Sequence, residues 1–152
     1  MPAPCFVRVA RVERQSARHR VEREIRRLAR RTDAANDSAL GQDERAVELH
    51  EARKAAKRAR YAAEPLRSVY GDAAKALCKQ LKRLQPTLGD LQDTVVTRDY
   101  LVEVSHSSEH PIDPAAALIA GALIEPESTA AVHYEVRAAK AWEKVAARQP
   151  LR

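Results

Sequence analysis

Three features of this sequence predict an all-α fold, an antiparallel bundle of four to six helices. Its 152 residues include 29 alanines, the residue least costly to hold in a helix, but only four glycines and 4% aromatic residues. A β-sandwich or barrel needs frequent turn residues and aromatic or β-branched fillers, and this composition supplies few of either. Two long stretches also repeat their apolar residues every three or four positions, the period of a helix with one buried stripe. The length fits one domain, 1–152, with a single thin core, because alanine buries little apolar area.

The first predicted helix spans about 12–31, with Val21, Ile25, Leu28 and Ala29 as its buried stripe and ten arginines between Arg8 and Arg31. Residues 32–42 are polar turn formers, and Asp43 is a suitable N-cap for a second helix. That helix runs from Glu44 to about Tyr70. Its seam is Leu49, Ala52, Ala56, Ala59, Ala63, Leu66 and Tyr70. Pro65 removes a backbone donor and predicts a kink, Gly71 ends the pattern, and Asp72 is the next N-cap candidate. From Ala73 to about Val104 the seam resumes as Leu77, Leu81, Leu84, Leu88, Leu91 and Val95, with Pro86 leaving open one kinked helix or two shorter ones. After a loop at 105–114, a short helix is expected from Pro114 to Leu123. A break at Glu125-Pro126 precedes a last helix to about Ala147, with Val132, Val136, Ala139, Trp142 and Ala146 inward.

The charge is uneven. Residues 1–83 carry 21 Lys/Arg against 11 Asp/Glu, net +10, whereas 84–152 carry 6 against 10, net −4. Such an asymmetry points to a polyanionic partner for the first part. No run of 18 or more apolar residues and no signal-type N-terminus is present, so a cytoplasmic protein without a membrane partner is expected. Cys5 and Cys78 lack the spacing of a disulfide framework or zinc site and are expected to be incidental. His106 and His110 are four apart but lack a third ligand, so no metal and no cofactor is expected. No Ser/His/Asp order, carboxylate pair or glycine-rich phosphate loop appears, which predicts a protein that is not an enzyme.

The segment from His50 to Tyr61 is the most informative. On a helical wheel of about 100° per residue, His50, Arg53, Lys54, Lys57, Arg60 and Tyr61 occupy one sector that adjoins the apolar seam instead of opposing it. Cations beside a seam line a groove, whereas cations opposite it only solvate the bundle. Glu64 is the sole carboxylate in that sector, and Glu51 points away. A second row, Lys75, Lys79 and Lys82 with Arg83 beside it, shares one face of the next helix and would converge on the first across a hairpin at Gly71. Two rows would make a track for an extended polyanion, held by charge-assisted hydrogen bonds and weakened by salt. A basic helical protein that binds RNA or DNA through the Arg8–Arg31 helix is the alternative. The aromatic residues are not interleaved with that arginine helix as base stacking requires.

The string LHEARKAAKRARYAAE from Leu49 to Glu64 resembles the signature helix of the CHAD family, the conserved histidine α-helical domain. The similarity continues in LKRLQ at 81–85, LGDLQD at 88–93, Val95-Val96 and Arg98, over a signature region of about 44–104. The resemblance implies an all-α module that binds inorganic polyphosphate, with His50, Arg53, Lys54, Lys57, Arg58 and Tyr61 at signature positions. Lys79, Lys82, Arg83 and Arg98 would supply further cations, and Arg60 is added by the wheel. It also implies a CYTH-type triphosphatase as partner and an association with polyphosphate granules. Members of the family carry two related helical halves around a shared basic channel, and this chain resembles only the second half. Pairing of two copies would complete the channel; the competing reading is a fragment of a longer protein.

Overall fold

The computed structural model describes residues 4–106 and 112–147, with side chains from Val12 onward except at position 42. Its elements are α1 (Pro4–Ala35), α2 (Gln42–Ala63), a single 3-10 turn (Glu64–Leu66), α3 (Arg67–His106) and α4 (Pro114–Ala146). No strand occurs among the described residues. Each helix packs on the next in chain order, α1 on α2, α2 on α3 and α3 on α4.

The seams account for this packing. Leu49, Ala52, Ala56, Ala59, Ala63 and Leu66 are buried along α2 and the 3-10 turn, as are Leu77, Leu81, Leu84, Leu88, Leu91 and Val95 along α3. Ala55 is fully buried as well, so α2 meets neighbours on two sides through alanine, which lets the backbones approach closely. From α1 come Val21, Leu28 and Ala35, with Ile25 packed at the margin. Antiparallel pairing of α1 with α2 is held by Arg31 to Glu48 at 2.7 Å and Arg58 to Glu24 at 3.1 Å. Glu24 is only 5% exposed and also faces Arg27 at 3.2 Å, so its buried carboxylate is compensated by cations from both helices.

Gly71 is the corner of the α2–α3 hairpin. Its φ of 51° with ψ of −123° is a backbone state that a side chain strongly disfavours, and the helical path is interrupted there inside α3. Contacts between His50 and Gln92, and between Arg53 and Gly89, join positions equally distant from Gly71 along the chain, which fixes the register. Asp72 does not cap the helix that continues from it; its carboxylate takes Lys75 at 3.1 Å.

Several expectations are corrected. α1 outlasts the expected 12–31 because Thr32 returns its hydroxyl to the Leu28 carbonyl at 2.9 Å and Ala35 is buried against the core. α2 begins after Gly41, whose N–H donates to Glu44 Oε2 at 3.2 Å, in place of a cap at Asp43. Pro65 tightens one turn to 3-10 geometry, and Pro86 lies inside the helical run of α3 that follows Gly71, with buried leucines on both sides of it. The break at Glu125-Pro126 is absent. The proline and residues 121–123 are exposed, so the carbonyl that loses its partner faces water, and contact with α3 carries α4 through.

The inward face of α4 is Ala131, Ala138 and Val145, with Tyr134, Ala141 and Trp142 half-buried. Val132, Val136 and Ala139 point outward, since close approach to α3 favours the alanines over the larger valines. Leu118, Ile119 and Leu123 are exposed too. By length and composition alone α4 is apolar enough to cross a membrane, and 11% of its most apolar 18-residue window is buried. His110 and Cys5 lie outside the described residues or side chains. His106 Nδ1 is 2.9 Å from the Val102 carbonyl, and Cys78 is half-buried, its thiol pushed up by burial.

Candidate functional site

A cavity of about 450 Å³ opens between α2 and α3. From α2 it is lined by His50, Arg53, Lys54, Lys57, Arg60 and Tyr61, and from α3 by Gln85 and Pro86. The α2 residues recur at helical spacing on the side beside the alanine seam, so burial of that seam against α3 delivers them to the groove. Four permanent cations and a histidine thus face one cleft, and among the described residues no carboxylate belongs to the lining.

The groove holds its cations in different ways. Arg53 lies against the α3 backbone, its guanidinium carbon 3.4 Å from the point a β-carbon on Gly89 would occupy. An alanine at 89 fits at ordinary contact distance; a longer side chain must displace the guanidinium. Arg60 lies over the Tyr61 ring at 4.6 Å and Lys57 approaches the same ring at 6.0 Å. Arg60 Nε is buried without a hydrogen bond, its nearest carboxylate oxygen on Glu64 at 3.6 Å. Lys54 donates to Glu51 at 2.9 Å, and that contact holds the Glu51 carboxyl below its usual range.

Two glutamines of α3 bear on the site, Gln85 in its wall and Gln92 behind His50. Gln85 Nε2 is buried with no partner, and an unmet donor in a cationic cleft fits an anionic acceptor. Gln92 Nε2 is 3.1 Å from His50 Nδ1. With the amide donating, the ring nitrogen accepts and His50 keeps its proton on Nε2, free to donate elsewhere.

The structure brings together His50, Arg53, Lys54, Lys57, Arg60 and Tyr61. It does not place the other expected site residues in the lining. Arg58 turns to Glu24 on α1 and serves the α1–α2 contact. Lys75 pairs with Asp72, and Arg98 Nη2 meets Asp99 at 2.9 Å. Lys79, Lys82 and Arg83 are exposed beyond the cavity. Register explains the shift. Lys82 and Arg60 are equally distant from Gly71, so the lysine row begins at the height where the cavity ends and runs toward the corner. Lys75, Lys79 and Lys82 share the helical stripe of Pro86, so they prolong the cleft instead of walling it.

Sequence reasoning missed Gln85, Pro86, Gly89 and Gln92 as parts of the site. Gln85, Gly89 and Gln92 recur at helical spacing within the LKRLQ and LGDLQD motifs and were findable once Gly71 is taken as the centre of the hairpin.

A family model described as CHAD domain matches residues 3–102, covering α1, α2 and all but the end of α3. No curated protein and no solved structure matches the chain.

Proposed function

The chain belongs to the CHAD family, and from that premise we propose that it is a non-catalytic module binding inorganic polyphosphate in the α2–α3 groove. The observation that carries this reading is a cleft lined by Arg53, Lys54, Lys57 and Arg60 with no carboxylate among its described lining residues. An extended phosphate chain has charge at every unit and no flat face. It suits a groove in which Arg60 and Lys57 approach the Tyr61 ring and in which every other described lining residue except Pro86 can donate a hydrogen bond.

Nucleic-acid binding through α1 is less well supported. Arg18, Arg31 and the Arg23/Arg27 pair face Glu22, Glu48 and Glu24, so four of the eight α1 arginines with described side chains are paired with carboxylates of α1 and α2. Competition decides between them. Long-chain polyphosphate is expected to resist displacement by single-stranded or duplex nucleic acid at equal phosphate concentration and physiological salt, while raising the salt weakens binding of both. Equal displacement by nucleic acid defeats the reading.

Lys54 offers a further test. Its partner Glu51 has a lowered pKa in the folded chain, so the ion pair persists at neutral pH and is lost only as pH falls through that lowered value. Acidification is thus a poor way to free Lys54, and Glu51→Gln does it directly. The substitution is expected to raise polyphosphate affinity severalfold at low salt, read by calorimetric titration; an unchanged or lower affinity removes Lys54 from the contact set.

The proposal extends to partners. A second copy would cover exposed apolar residues of α4, including Leu118 and Ile119, and a CYTH-type triphosphatase would act on the bound polymer at polyphosphate granules in the cytoplasm. Light scattering that finds only monomers, with polyphosphate still bound tightly, removes the pairing.

A further inference from the structure

A second basic cleft lies where α1 meets the start of α3. It holds about 490 Å³ and is lined by Arg14, Gln15, Arg18, His19, Val69 and Tyr70. It shares no residue with the α2–α3 groove. Arg14 and Arg18, four apart, share a face of α1, and His19 lies about 100° round the helix from Arg18, so together they border the cleft as one broad sector. Arg18 is fixed in place: its Nε donates to Glu22 Oε1 at 2.8 Å, and Glu22 first, then Tyr70, hold the guanidinium above its usual range. Arg18 also contacts the Tyr70 side chain, and the exposed Arg14 and His19 add donors to the same lining.

The α3 wall of this cleft differs in kind from the groove. There, Tyr61 is covered by Arg60 and Lys57. Here, among the described residues, no cation lies over the Tyr70 ring, and Val69 beside it is 41% exposed. Cations on one wall, with the half-buried Tyr70 ring and the exposed Val69 on the other, match a ligand with a phosphate end and a flat apolar body. A bare phosphate chain would use only half of that surface.

We propose that the α1–α3 cleft is a separate site for a nucleoside phosphate, with Arg14, Arg18 and His19 on the phosphates and Tyr70 and Val69 against the base. Arg18 is set by Glu22, so phosphate contacts there carry little ordering cost. Neither the base nor the sugar meets a side chain that selects one base, and stacking accepts any π-face.

The probes are ATP and inorganic tripolyphosphate, titrated into full-length protein carrying Lys54→Glu and Lys57→Glu so that the groove no longer competes. ATP is expected to bind this background, and to bind it about tenfold more tightly than tripolyphosphate, the difference being the stacked base. Adding Arg14→Glu and His19→Glu is expected to weaken ATP about tenfold or more. Both positions are exposed, and thermal unfolding checks the fold; Arg14→Gln with His19→Gln replaces the pair if it fails. Tyr70→Leu is expected to weaken ATP more than tripolyphosphate, because it removes the stacking ring as well as the hydroxyl beside Arg18. Absent ATP binding, indifference to the Arg14 and His19 changes, or equal affinity for ATP and tripolyphosphate overturns the proposal. Each of these results leaves the polyphosphate reading of the groove where its own competition assay puts it.

Discussion

Lys54→Glu combined with Lys57→Glu is expected to abolish measurable polyphosphate binding at physiological salt. Both side chains line the α2–α3 groove and both are exposed, so their reversal removes two donors and adds two negative charges without disturbing the core. A hydrogen bond to a charged group contributes about 1.5–3 kcal/mol, so loss of two removes roughly 3–6 kcal/mol before any repulsion is counted. That is on the order of a hundredfold to ten-thousandfold in affinity. Helix content and thermal midpoint should stay close to wild type. Reversal of Arg20 and Arg26 on α1, which lie outside the groove, is the matched control and should weaken binding only through net charge. Arg58 is no substitute for either lysine. Its reversal would place a carboxylate against buried Glu24, and any loss of binding would then reflect a damaged α1–α2 contact.

Leu84→Ala is expected to produce the largest loss of stability of any single truncation, about 2–5 kcal/mol. Leu28, Leu81, Leu84 and Leu88 are the largest fully buried side chains, and the α2 surface facing them is mainly alanine. Alanine has no side-chain torsion with which to fill a void, so the cavity left at position 84 persists. For a domain whose net stability is on the order of 5–15 kcal/mol, such a loss is a large fraction of the total. Thermal or denaturant unfolding reads it. Ala56→Leu tests the same packing from the other side: overfilling the alanine seam should cost about 1–3 kcal/mol by forcing α2 away from its neighbours. A Leu84→Ala protein as stable as wild type would mean that α2 and α3 do not meet as described.

The contrast between these positions shows what the sequence made legible. The spacing of Leu49 through Leu66 and of Leu77 through Val95 named the core of α2 and α3 residue by residue, because burial at helical period has few alternatives. On α4 the same rule was applied to the bulky residues, and Val132 and Val136 proved exposed while Ala131 and Ala138 face inward. In an alanine-rich chain the tightest contact belongs to the smallest side chain, so bulk misleads where spacing does not. Pro126 misled for a related reason: a local rule predicts a break, but an exposed carbonyl finds water and α3 supplies the support.

The groove was half legible. One helix wheel sufficed for His50, Arg53, Lys54, Lys57, Arg60 and Tyr61, because a row next to a seam must border whatever covers the seam. The facing wall depended on register, which no single helix contains. The lysine row looked chemically right, yet Gly71 as the corner sets Gln85, Gly89 and Gln92 against the cations and carries Lys75 and Lys79 beyond them. Gly89 matters for what it lacks, since any longer side chain occupies the place of the Arg53 guanidinium.

Polyphosphate lying in the cleft between α2 and α3 would have a distinct spectroscopic signature. Arginine side-chain and backbone amide resonances, followed by NMR as long-chain polyphosphate is added, read it residue by residue. The largest changes are expected on the Arg53 and Arg60 Nε–H groups, the Gln85 side-chain amide and the Gly89 backbone, while Arg20, Arg26 and Arg30 on α1 move little. Changes concentrated on those α1 arginines, with Arg53 and Arg60 still, would contradict binding in the groove.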